Sequence, residues 1–173
     1  MPFTPFHMGV ALVAKPAARR HFSLLAFSLA QVAMDVEPLV GMLRDQDVLH
    51  GRSHTVVGAL LIGMAVAMLA PFVLRPVVAF LHRKAKENRL EWILDPQAPS
   101  RGAVWAGSLV GTLSHVVLDA LIHHDMRPLA PFSQATPLLG LVEHDSVYRL
   151  CAWMAAAGAA VWVISRWQTR KRA

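Results

Sequence analysis

Charge is what this sequence has least of. Of its 173 residues, 16% are Asp, Glu, Lys or Arg, while 55% are hydrophobic. A soluble domain carries about 25% charged residues, so the composition argues for a membrane protein. Cysteine is nearly absent. Cys151 stands alone in an apolar run, which excludes a disulfide framework and any Cys-based zinc site and leaves it as a small core residue. The start, MPFTPFHMG, has neither a basic region nor a long apolar stretch, so no cleavable signal peptide is expected. The length suits one domain, 1–173.

The charges that are present are unevenly placed. The net charge is +6, and the basic residues gather at Lys15, Arg19 and Arg20, at Arg83, Lys84, Lys86 and Arg89, and at Arg166, Arg170, Lys171 and Arg172. Loops 36–54 and 124–147 are poorer in Lys and Arg. Basic residues stay on the cytoplasmic side of a membrane, so the three clusters are expected inside and the two loops outside. Because the basic excess follows this topology, nucleic acid is not expected as a partner.

The apolar segments complete the outline. Thr4 and Pro5 suit the cap and first position of a short helix, with His7 in its first turn. Segment 21–35 is apolar and ends at DVEP, where Pro38 discourages further helix, and 41–53 reads as a polar loop. Segment 55–70 is the strongest span, extended past Pro71 and Pro76. Residues 84–94 suit an amphipathic helix on the membrane surface. Segments 102–122 and 147–165 are further spans, joined by a Pro-rich loop over 126–145. Trp105, Trp153, Trp162 and Trp167 sit in or near span ends, as interface anchors do. The expected fold is an all-α integral membrane bundle of about four apolar segments.

Within SHVVLDALIHHD, residues His115, Asp119 and His123 follow at steps of four. On a helix such residues share one face. Ionisable groups in an apolar helix are costly unless they pair, face a polar cavity or bind something. Topology brings two more groups to the same side: Asp35 with Glu37, and His50 with His54 in LHGRSHT. His7 joins them if the first helix packs alongside. Imidazoles and carboxylates together suit zinc, manganese or iron(II). Several of each suit a two-ion site with a bridging Asp, which activates water and stabilises charge on a phosphoryl group. His21 and His82 read as interfacial, His124 as exposed or as support behind the ligands, and Glu143, His144 and Asp145 as a cap before the last span or a similar supporting group.

The motifs TPFHMG, MDVEPL, LHGRSHTVVGA and SHVVLDALIHHDMRPLAPFS give the chain a family likeness. It resembles the bacterial membrane-bound metal-dependent hydrolases, themselves distantly similar to zinc-dependent phospholipase C. The resemblance implies an all-helical, phospholipase C-like His/Asp metal site in a multi-pass protein of the bacterial inner membrane. Carried over by motif, His7, Asp35, His54, His115 and Asp119 are metal ligands, and His123 serves a second ion. Glu37, His50 and Asp125 match the membrane family's pattern without an assigned role. Phospholipase C is soluble and has ligands further downstream, for which only His144 is available here.

The expected activity is hydrolysis of a phosphoester on a lipid or lipid-linked substrate, with zinc first among the divalent ions and manganese or iron as alternatives. Asp35 is expected as a ligand or general base, and Arg52 and Arg127 as phosphate binders. Two rivals stand beside this reading: a non-catalytic metal carrier or sensor, and a structural bundle whose His–Asp pairs only fix helix packing.

Overall fold

A computed structural model describes residues 6–95 and 98–172; the expected cap at Thr4 and Pro5 lies outside them. Five α-helices follow in order: α1 Met8–Ala18, α2 Leu24–Leu43, α3 Val56–Glu87, α4 Arg101–Ile122 and α5 His144–Arg172. Short 3₁₀ turns at Arg19–His21, Arg52–His54 and Glu91–Ile93 link them. Among the described residues there is no strand.

Three helices begin with the same local chemistry. The side chains of Ser23, Thr55 and Ser100 accept from the amides of Ala26, Gly58 and Ala103, at 3.2, 2.9 and 3.2 Å. A hydroxyl at this position satisfies an amide that the helix leaves without a partner. The caps set where α2, α3 and α4 start, and hence the height at which their polar residues meet.

Four helices, Leu24–Leu43, Val56–Glu87, Arg101–Ile122 and His144–Lys171, are long and apolar enough to cross a membrane. Leu60, Leu61, Met68, Leu69 and Phe72 on α3 and Leu150, Trp153, Val161 and Ile164 on α5 are exposed. A soluble protein rarely exposes so large an apolar surface; lipid covers it in a multi-pass membrane protein.

The α4 helix lies at the centre, against both α2 and α3, while α1 packs on α5. Small residues allow these approaches. A Cβ on Gly107 or Gly111 of α4 would meet the backbone of Ser23 or Phe27 on α2. A Cβ on Gly9 or Gly158 would overlap the backbone of Cys151 or Leu12 across the α1–α5 contact. Met34, Ala59, Val116, Ala120 and Met126 form the buried apolar layer beside the polar cluster.

The structure corrects three boundaries. Helix α2 does not stop at Pro38 but continues to Leu43, with Pro38 inside it and buried. Proline removes one helical hydrogen bond, and spanning helices tolerate this where neighbouring helices enclose the backbone. Residues 84–94 do not form a separate surface helix: α3 runs to Glu87, and a turn follows. That turn is held by α5, where Trp162 Nε1 donates to the Ile93 carbonyl at 3.2 Å and Arg166 Nε to the Trp92 carbonyl at 2.9 Å. The last span is also longer than expected, since α5 begins at His144 and takes in the basic tail.

Candidate metal centre

Helix periodicity, caps and loops bring the expected polar residues to one end of the bundle. Gln31, Asp35 and Glu37 come from α2, and His115 and Asp119 from α4. His54 closes the turn before α3. His7 precedes α1. His50 and Asp125 come from the loops that follow α2 and α4, and His123 is the residue that ends α4, with extended backbone. The three-step stripe therefore has two helical members and a third just beyond the helix.

The carboxylate of Asp119 is the hub. Its side chain is fully buried, as are those of His54 and His115. Oδ2 lies 3.1 Å from His115 Nε2, 3.6 Å from His54 Nε2 and 4.0 Å from His50 Nε2. Oδ1 lies 3.4 Å from His7 Nε2 and 4.0 Å from His123 Nε2. Asp35 Oδ1 approaches His115 Nε2 at 3.3 Å. These are close approaches without hydrogen-bond alignment at the hub: both Asp119 oxygens, His50 Nε2 and His123 Nε2 are buried and have no hydrogen-bond partner.

Three relays behind the rings fix which nitrogen faces inward. Gln31 Nε2 donates to the Gly111 carbonyl at 3.0 Å, so its Oε1 must accept from His115 Nδ1, at 2.6 Å. Asp125 takes the Leu49 and His50 amides at 2.9 and 3.0 Å and the His50 Nδ1 proton at 2.9 Å. Glu37 accepts the Ser53 hydroxyl proton, which leaves Ser53 Oγ to accept from His54 Nδ1 at 2.8 Å. In each relay the ring carries a proton on Nδ1 and turns its Nε2 toward Asp119, where it offers a lone pair when the ring is neutral. Metal-binding histidines are held in this way by an acceptor behind the ring.

Burial favours the neutral imidazole at three of these histidines. It pushes His7 down and brings His123 to about 4. His54 is also pushed down, by burial and then by the neighbouring His115. Burial alone would raise Asp125, but the His50 amide and ring outweigh it and bring the carboxyl to about 2.

Some expected residues take other places. Arg127 donates to the carbonyls of His124 and Met126 at 2.8 and 2.7 Å, which makes it a brace of its own loop. Arg52 is exposed, and its amide binds Glu37 at 3.1 Å. His124 is exposed, and His144 stands 3.4 Å from Asp145 at the exposed start of α5, outside the cluster. His21 and His82 lie at the opposite end. Gln31 and Ser53 are additions: Gln31 was visible as a lone polar residue one turn before Asp35, whereas Ser53 gave no signal beyond adjoining His54.

Histidine and carboxylate ligand atoms within 4.8 Å of one another occur here in four overlapping groups, among them His7–His115–Asp119, Asp35–His54–His115 and His50–His54–Asp119. Fold and site thus define a multi-pass helical membrane protein with a buried His/Asp cluster at one end of its bundle. The chain belongs to the family described as a domain of unknown function (DUF4184), whose model matches residues 1–172. No curated protein and no solved structure matches it.

Proposed function

We propose that the cluster is the metal centre of a membrane hydrolase that cleaves a phosphoester on a lipid or lipid-linked substrate. One observation carries the metal: His54 Nε2 and His115 Nε2 face each other at 3.3 Å, while the relays behind them engage the Nδ1 atoms. In the neutral rings these are two lone pairs, which repel at that distance unless a proton or a metal cation lies between them. The partnerless oxygens of Asp119 ask for the same thing, because an uncompensated buried carboxylate is costly. The donor set fits a divalent ion, with zinc first and manganese or iron as alternatives. Asp119, His54, His115, His7 and Asp35 would hold it, and His50 and His123 would take part in a second position.

A bound divalent ion would supply Lewis acidity at a phosphoryl oxygen and bring the pKa of water toward about 7. The protein's own contribution is placement. Asp35 is a quarter exposed where Asp119 is fully buried, so it is the central carboxylate a water molecule can reach, and its oxygen not engaged by the ion would act as general base. Arg52, exposed beside the cluster, is the arginine available to a phosphate.

The lipid part of the reading rests on the loop that joins α4 to α5. Residues 128–142 contain no charged side chain, and Leu129, Phe132, Leu141 and Val142 are exposed there. A loop tethered to two spans and carrying such residues lies in the membrane interface, beside the cluster. The basic clusters lie toward the other end, so the positive-inside rule puts the site at the outer face of a bacterial inner membrane.

A carrier would need a polar route through the bundle. Ser108 and Thr112 are buried beyond the cluster, but the next layer inward is the apolar Ala26, Ala70, Leu74 and Val104. That layer favours a site open to one side. The test is elemental analysis of the detergent-purified protein beside Asp119→Ala. About one to two ions per chain, lost in the variant, is the expected result. No metal in either protein, even after reloading, overturns the reading and leaves a structural bundle.

A further inference from the structure

The end of the bundle away from the His/Asp cluster holds a cavity of about 1630 Å³. The two sites are separated by roughly 18 Å along α2, from Ser23 to Asp35, at 1.5 Å per residue. The cavity lies among the end of α1, the starts of α2 and α4, the inner part of α3 and the last third of α5. Leu12, Phe22, Leu25, Leu81 and Trp162 give it apolar walls.

Its polar lining is strongly one-sided. Arg19, Arg20, His21, His82 and Arg166 stand around it. Asp95 is the one lining carboxylate among the described residues, and Lys15 binds it at 2.5 Å. Arg19 and Arg20 are exposed and have no acidic partner among the described residues. Arg166 is anchored by the backbone carbonyls of Trp92 and Leu94, which orient it without neutralising it. The first turns of α2 and α4 open onto the same space, and helix N-termini add positive potential.

We propose that this cavity is a binding site for an anionic phospholipid, with the acyl chains against the apolar walls and the phosphate between Arg19 and Arg20. Size, charge and place agree on one occupant. The volume exceeds the roughly 300–1,000 Å³ of a small-molecule pocket. An apolar body with a cationic rim matches a lipid whose head is negative. Basic pockets between spanning helices at the cytoplasmic surface hold such headgroups, and arginine binds phosphate oxygens in pairs. The site is independent of the metal centre and of the reaction proposed there.

The experiment uses the full chain, purified and stripped of lipid in detergent. Native mass spectrometry measures retention of phosphatidylglycerol, of phosphatidylcholine with the same chains, and of inorganic phosphate. The expected result is a preference of about thirtyfold for phosphatidylglycerol over phosphatidylcholine, the scale of two arginines near an anionic headgroup. Arg19→Gln with Arg20→Gln should abolish that preference. Leu81→Trp, which fills the cavity, should lower retention of both lipids, with metal content and melting temperature serving as folding controls. Equal retention of the two lipids overturns the proposal. So does a preference that survives both arginine substitutions. Inorganic phosphate bound as tightly as the lipid would show that the site takes a free anion, and the lipid assignment falls.

Discussion

Gln31 and Asp35, one turn apart on α2, address opposite nitrogens of the same ring. Gln31 Oε1 accepts from His115 Nδ1 at 2.6 Å, and Asp35 Oδ1 faces His115 Nε2 at 3.3 Å. One helix thus fixes the proton on the far side of the imidazole and offers a carboxylate on the near side.

Removing the acceptor should therefore weaken metal binding without removing a ligand. Gln31→Leu is expected to lower metal affinity about 10–100-fold, the usual effect of losing an acceptor behind a ligating histidine. Gln31→Glu keeps the acceptor and should stay closer to wild type. Competition with a chelator of known affinity measures both.

The other two relays predict the same pattern. Asp125→Ala frees the His50 ring, and Glu37→Ala frees the Ser53–His54 pair. Each should lower metal affinity about 10–100-fold. His144→Ala, at the exposed start of α5, should leave it unchanged. An equal loss in all three variants would show that the relays do not position ligands.

Acid should destabilise the metal-free protein over a defined window. His123 has a folded-state pKa of about 4 against an ordinary 6.5, and burial shifts His54 in the same direction. The unfolded chain takes these protons first, so stability is full above about pH 6.5 and falls as the pH drops toward 4. Asp125, at about 2 against an ordinary 3.8, adds a further loss only below that window. Thermal melts across the range should show the slope, and His123→Gln should flatten it.

Helix packing has its own test. Gly158→Ala adds a Cβ that would overlap the Leu12 backbone, and overpacking of this kind costs about 1–3 kcal/mol. Gly102 has nothing within 4 Å of an added Cβ, so Gly102→Ala should be neutral or stabilising by about 0.5–1 kcal/mol. Melting temperatures in one detergent compare the pair.

The uncharged loop predicts membrane contact. Phe132 is 87% exposed, and the native Cys151 is buried, so Phe132→Cys can be labelled selectively with an environment-sensitive fluorophore. In vesicles the label should emit to the blue and be quenched by shallow lipid-borne quenchers. Emission like that of the free dye in water would place the loop outside the interface.

Much of this geometry was legible from spacing alone. His115 and Asp119 are four apart in an apolar run, and that period puts them on one face whatever the rest of the chain does. The charge pattern separated the two ends of the bundle in the same way. Pro38 misled because local propensity sees a missing amide, whereas the enclosed end of α2 sees packing on its neighbours. The surface helix expected over 84–94 failed because tertiary bonds from α5 hold that chain as a turn. Ser53 was invisible because its role depends on Glu37, which tertiary folding alone brings beside it.

The ligand candidates come from distant parts of the sequence, with His7 and His115 separated by 108 positions yet 3.3 Å apart at their ring nitrogens. A chain made from its N-terminus onward exposes His7, Asp35 and His54 well before α4 exists. Until α4 threads between α2 and α3, the cluster lacks both its hub and the ring that links the other groups. Assembly of the site is therefore a late event in biogenesis, and a chain interrupted before α4 carries half of the proposed coordination set with nothing to close it.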